Sequence, residues 1–463
     1  MKSSFLLKTL IIFFIFTFKA QAYYGRHSKE ATLSFSHKVE FFRQAKLNLR
    51  KIKTNPFLHR AATKIIKNQI EHLMGYFQSE FFYENFGFKG TLGEEYDFEF
   101  TQLKKGKKRN QWFLSYDFKG IAAVEKEIFG RKKNLKVSLR LPLNPKTIYK
   151  RGVKKGKNLC TDDHYNSESD FFYFWDPNKK GCPLKNDFKN VPKIKASLTT
   201  HKNTRWSYPE YDKLYGDNGN GQDLEIYVFF GYIDELKNPF KAKTKDDSFL
   251  AYQKVKSALI RRGLELIENE SHFRLYPHEE GFFKGANFFS YFRKKVSFRG
   301  KTLHLKIKLF LTDTGIDSED DTFHYYYKKA LNEADIIEYE GHSGLGANLS
   351  LDQLEIDRID NKKYQLLFFN ACSTYKYFNQ EYLNAKGGPE NLDIILSGLP
   401  TYSDSAANNS LAFLDNFLDA SLLTFQTIIS RIENSSEGGP YLYSVVGDKD
   451  NSWRPNHKVS SKL

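Results

Sequence analysis

The chain has 463 residues, 40% hydrophobic and 16% aromatic, which is more than one ordinary core uses; this points to about two folded units and excludes a disordered protein. Its formal net charge of +16 is unevenly shared: residues 1–220 carry 42 Lys and Arg against 21 Asp and Glu, and residues 221–463 carry 29 against 34. Any anionic partner therefore belongs to the first half.

The opening "MKSSFLLKTLIIFFIFTFKAQA" places Lys2 and Lys8 before an apolar core from Leu10 to Phe18 and closes on Ala20-Gln21-Ala22, the pattern of a cleaved signal peptide over 1–22. No later stretch reaches the roughly 18 uncharged apolar residues that a bilayer span requires. The expectation is a mature chain without a transmembrane helix, secreted or periplasmic. Residues 56–78 then predict an amphipathic helix, with Ala62, Ile65, Ile66, Ile70, Leu73 and Phe77 at helical spacing. "YDFEFTQL", "QWFLSYDF" and "LKVSLRLPL" alternate apolar and polar residues instead, so 23–215 reads as a basic α+β unit with antiparallel strands. "KKGKKR" (104–109) and "YKRGVKKGK" (149–157) supply much of the charge. They suit an anionic surface through counterion release, or are solvated hairpin tips.

In an oxidising compartment Cys160 and Cys182 are natural disulfide partners, which leaves Cys372 unpaired. A metal site of Cys160, Asp162, His164 and Cys182 is the alternative, but its spacing fits no zinc signature, and no metal or cofactor is expected. The turn formers "YGDNGNGQD" (215–223) mark a boundary, with a second unit over 216–463. They resemble a calcium loop only superficially, because the required Gly and the closing Glu are out of place.

Beyond the boundary, strands and helices alternate. "LEIYVFFGYI" predicts a strand, "FLAYQKVKSALIRRGLELI" a helix, and "KVSFRGKTLHLKIKLFLTD" a hairpin turning at Arg299-Gly300. "FHYYYKKALNEA" predicts a helix, and "DIIEYEGHSGLG", "YQLLFFNAC" and "LDIILSGLP" three short strands. "SLAFLDNFLDASLLTFQTIISRI" predicts one or two apolar helices. The pattern is that of an α/β sandwich around a mostly parallel sheet.

In such a sheet, functional groups gather at the carboxyl ends of the strands. One predicted strand delivers Gly341-His342-Ser343-Gly344 and the next delivers Ala371-Cys372-Ser373. If the two lie side by side, imidazole and thiol meet across a strand spacing or two. Cys372 then acts as nucleophile, and His342 keeps the thiol reactive and protonates the leaving amine. The backbone N–H groups of Cys372 and of Ser343 or Gly344 serve as donors to an oxyanion.

At these residues the sequence resembles the caspase-like superfamily of cysteine peptidases, in which an apolar block ending in His-Gly precedes one ending in Ala-Cys or Gly-Cys. The resemblance covers about 220–430. It implies a caspase-like three-layer α/β/α fold, a His-Cys dyad acting on protein or peptide substrates, and a precursor activated by cleavage. The sequence departs from the pattern at Ser343, where the family has glycine. Glu338 and Glu340 share a strand face with His342 and either pair with Lys, orient the ring or are solvated. A metal held by His342, Cys372 and a carboxylate lacks convincing further ligands. Asp404, in the loop after "LDIIL", is the candidate for receiving a basic substrate side chain; a helix cap is its other reading. The leading expectation is a secreted cysteine endopeptidase. Its rivals are a non-cleaving relative whose basic unit holds an anionic surface, and a structural envelope component with a buried Cys372.

Overall fold

The computed structural model describes residues 23–25, 27–42, 47–130, 132–201, 206–216, 223–238, 241–276, 279–378, 380–437, 441–448 and 453–455. The expected signal peptide and most of the turn-rich 215–223 segment lie outside these.

The first elements are β1 (Tyr23–Tyr24), β2 (Ser28–Phe42) and the helices α1 (Leu49–Thr54), α2 (Pro56–Glu71), α3 (Leu73–Gln78) and α4 (Glu80–Phe86). They are followed by β3 (Gly90–Lys105), β4 (Gln111–Glu125), β5 (Asn134–Arg140), α5 (Pro145–Gly152), the small hairpin β6 (Val153–Lys154) and β7 (Lys157–Asn158), and β8 (Lys193–Thr200). Five of these strands make an antiparallel sheet in the order β3-β4-β2-β8-β5. Asn55 caps α2 by accepting from the Leu58 amide, and Pro56 takes the first helical position, where no N–H is needed. The single helix expected over 56–78 breaks at His72, and its apolar stripe, Ile66, Ile70 and Leu73, packs with Val39, Leu114 and Tyr116. Both basic runs fall at hairpins: 104–109 joins β3 to β4, and 149–157 leads from α5 into β6–β7.

The second unit contains α6 (Tyr211–Leu214), β9 (Asp223–Gly231), α7 (Asp247–Arg261), β10 (Glu265–Tyr276), β11 (Glu279–Phe298), β12 (Lys301–Thr312) and α8 (Thr322–Glu333). It continues with β13 (Ile336–Glu340), β14 (Gln365–Asn370), α9 (Gln380–Lys386), β15 (Leu392–Leu396), α10 (Ala406–Leu414), α11 (Phe425–Ser435) and β16 (Ser444–Val446). Its sheet runs β1-β16-β15-β14-β13-β9-β12-β11-β10. The central strands β15, β14, β13, β9 and β12 are mutually parallel. Both flanks are antiparallel, so the sheet is parallel at its centre only. The expected helix over 249–267 stops at Arg261: Gly263, at φ 78°, ends it and Glu265 begins β10.

Helices cover both sheet faces. Ile226, Val228 and Phe230 of β9 pack with residues of α7, α10 and α11, while Tyr227 and Phe229 pack with residues of α8 and α9. Burial on both sides is why the central strands read as continuous apolar runs. Tyr211, Leu214 and Tyr215 already belong to the second core, and the Tyr211 hydroxyl donates to the Leu423 carbonyl at 2.9 Å. These residues stand ahead of the boundary expected after 215. β1 also pairs with β16, so the chain crosses between units at its start.

Candidate active site

β13 and β14 are parallel neighbours with Glu340 opposite Asn370. His342 and Cys372 each stand two residues beyond that pair, at the same carboxyl edge, where strands are spaced by about 4.8 Å.

The loop after β13 is fixed from below. Tyr339 donates its hydroxyl hydrogen to the His342 carbonyl at 2.7 Å and therefore accepts from Thr314 Oγ1 at 2.9 Å. Asn348 Nδ2 donates to the same carbonyl at 3.0 Å. The ring itself is exposed, and its Nε2 lies 2.8 Å from the Ile233 carbonyl, just past β9. A carbonyl only accepts, so Nε2 carries the proton and Nδ1 is the basic nitrogen.

The Cys372 loop is tied to the segment after β15. Thr374 Oγ1 donates to the Phe369 carbonyl at 3.0 Å and accepts from the Ser397 amide at 2.8 Å, and Ser397 Oγ donates to the Ala371 carbonyl. The Ser373 amide donates to the Leu399 carbonyl at 3.2 Å. Ser373 sits in the left-handed region, φ 53°, directly after the thiol, a costly conformation of the kind that collects at functional sites. Cys372 is half-buried and unpaired, with its sulfur 3.8 Å from the Thr401 carbonyl. Burial pushes the thiol above its ordinary value, partly offset by the Thr401 backbone and the Tyr173 hydroxyl.

No described residue accepts from the amide of Ser343, Gly344 or Cys372, so these donors are uncommitted. Ser343 has φ −76°, which any residue adopts. The left-handed positions are Gly344, φ 57°, Leu345, φ 53°, and Gly346, φ 95°. The departure at Ser343 therefore leaves the backbone path intact.

Other candidates fare differently. Cys160 and Cys182 are joined as a disulfide, which removes the thiolates that the alternative metal site required. Glu338 and Glu340 are buried, not solvated and not paired with Lys; Asn370 Nδ2 donates to Glu340 Oε2 at 2.7 Å. Asp404 is exposed in the 403–405 turn of the loop whose Thr401 touches the thiol. It caps no helix, because α10 has Ser405 at its N-cap and no side-chain cap bond. Among the described residues no group of three His, Cys, Asp or Glu is placed to hold a metal, and no helix is long and apolar enough to cross a membrane.

Tyr339, Thr314, Asn348, the Ile233 carbonyl and Tyr173 carry no sequence signal that marks them for the site. Tyr339 in particular reads only as one more apolar residue of its strand.

No protein-family model matches the chain, and no curated protein matches it.

Proposed function

We propose that the chain is a cysteine endopeptidase of caspase-like fold, exported through its signal peptide, that hydrolyses peptide bonds with His342 and Cys372. The observation that carries the reading is the matched register of these two residues past adjacent parallel strands. The disulfide fits an oxidising compartment.

The resting nucleophile is a neutral thiol, since burial disfavours its charge. Substrate binding excludes water, and the Cys372 S–H proton passes to Nδ1 of His342, whose Nε2–H stays on the Ile233 carbonyl. The sulfur adds to the scissile carbonyl carbon, and the resulting oxyanion takes hydrogen bonds from the free amides of Cys372 and Ser343 or Gly344. The imidazolium returns its proton to the departing amine as the C–N bond breaks. Water, deprotonated by the same nitrogen, then releases the acyl group and regenerates the thiol. Asp404 supports a weak preference for a basic side chain beside the cut.

The test offers the purified mature chain a mixed peptide library, beside Cys372→Ala. We expect cleavage that disappears with the substitution and with one equivalent of alkylating agent. The elevated thiol favours one other reading, a non-cleaving relative whose basic hairpins hold an anionic surface. No cleavage by either protein, together with salt-sensitive binding of anionic vesicles by both, selects it.

A further inference from the structure

The segment between Cys160 and Cys182 belongs to the first unit, yet it lies against the Cys372 loop of the second. Tyr173, 1% exposed, donates its hydroxyl to Ser373 Oγ at 3.2 Å, one residue past the thiol. Its ring forms a cluster with those of Tyr165 and Phe174, centroids 4.7 and 5.0 Å away.

Three devices hold this segment in place. The Cys160–Cys182 disulfide closes its two ends. The buried Arg140 donates to the Leu184 and Lys185 carbonyls and to Asn178 Oδ1, each within 2.9 Å. His72 packs edge-on against Phe171 and Trp175, centroids 5.2 and 4.9 Å away.

The first unit also grips the Cys372 loop directly. Tyr377 donates to Met74 Sδ at 3.6 Å, the Gln380 amide donates to Glu94 Oε2 at 2.7 Å, and the Lys376 ammonium lies 5.5 Å from the Tyr96 ring centroid. Gly93 approaches Tyr375 so closely that an added Cβ would meet its ring at 3.0 Å.

We infer that Tyr173 is a working part of the active site: its hydroxyl hydrogen is shared between Ser373 Oγ and the Cys372 sulfur, and the first unit completes the nucleophile rather than merely docking the enzyme. A phenol has one hydrogen to give. While Cys372 is a thiol, that hydrogen rests on Ser373. When the S–H proton moves to His342, the hydrogen turns to the sulfur anion, where a charge-assisted bond is stronger. The catalytic meaning of this exchange rests on the dyad reading; the exchange itself does not.

With Cys160 and Cys182 joined, Cys372 is the chain's one free thiol, so iodoacetamide reads it alone. We expect Tyr173→Phe to move the midpoint of the alkylation-rate profile up by about one pH unit, the size of one hydrogen bond to an ion, with about tenfold slower alkylation below it. Ser373→Ala removes the competing acceptor and moves the midpoint down. An unchanged midpoint in Tyr173→Phe, or shifts of the same sign in both variants, overturns the inference. Should Tyr173→Phe fail to fold by its melting curve, the sign of the Ser373→Ala shift decides. If the midpoints move as stated and no peptide is ever cut, the peptidase reading fails and the Tyr173 assignment stands.

Discussion

Gly344 and not Ser343 bears the conformational demand of the loop after His342. An added Cβ at Gly344 would meet Asn348 Oδ1 at 2.3 Å, and φ 57° already disfavours an L side chain. Asn348 holds the His342 carbonyl together with Tyr339, so a shift there disturbs the imidazole's support. Gly344→Ala is therefore expected to lower kcat/KM by at least about tenfold and to lower the melting temperature, whereas Ser343→Gly changes kcat/KM by less than about threefold. Equal losses in the two variants would contradict this assignment. His342 and Cys372 were legible in the sequence because each follows an apolar run and sits among small residues. The groups that orient them were not. The Ile233 carbonyl is 109 residues from His342 and offers only backbone, and Tyr173 lies 200 residues from Ser373 in the other unit.

At the level of single elements, β13 shows how a correct period leads to a wrong environment. Alternation puts Glu338 and Glu340 on one face, as expected, but helices cover that face and both carboxyls are buried. Burial raises Glu338 to about 8, and burial together with the Glu338 charge raises Glu340. A raised carboxyl holds a proton in the fold that the unfolded chain gives up, so its contribution to stability is intact below the ordinary carboxyl range and is lost as pH rises through about 8. Glu338→Gln should raise the melting temperature by several degrees at pH 9 and leave it nearly unchanged at pH 5; equal gains at both would argue against a buried proton.

The acid limb has a different source. Burial lowers His37 to about 3 and His72 to about 4, so the unfolded chain binds protons that the fold refuses, and stability falls as pH drops from about 6.5 toward 4. The hairpin at Arg299-Gly300 was legible, since both residues take positive φ, 50° and 79°, and its strands alternate cleanly. The end of α7 was not, because "GLELI" suits a helix stripe or a strand equally and only the pairing of Glu265 with Arg293 decides it.

For the molecule as a whole, the two halves of different charge do not behave as beads on a string. Ala123 of the first unit lies in the second unit's core, and Ser28 Oγ donates to the Tyr443 carbonyl at 3.1 Å. Protease cleavage between residues 201 and 206 should therefore leave both fragments in one particle on gel filtration, with Cys372 alkylated at the uncut rate. Fragments that separate and stay folded would show the units to be independent. Composition revealed two units. It did not reveal their interlock, which depends on contacts between positions hundreds of residues apart.

One such contact sets a schedule. Tyr23 pairs with Val445, so the outer margin of the large sheet joins the first described residues to nearly the last. A chain emerging amino end first cannot make that join until its tail has followed, and pairings of such separation form slowly. The thiol-bearing loop leans on both halves, so a half-delivered chain cannot complete it. On the proposed reading as an exported peptidase, a producing cell is thereby spared a working enzyme until the whole polypeptide has left it.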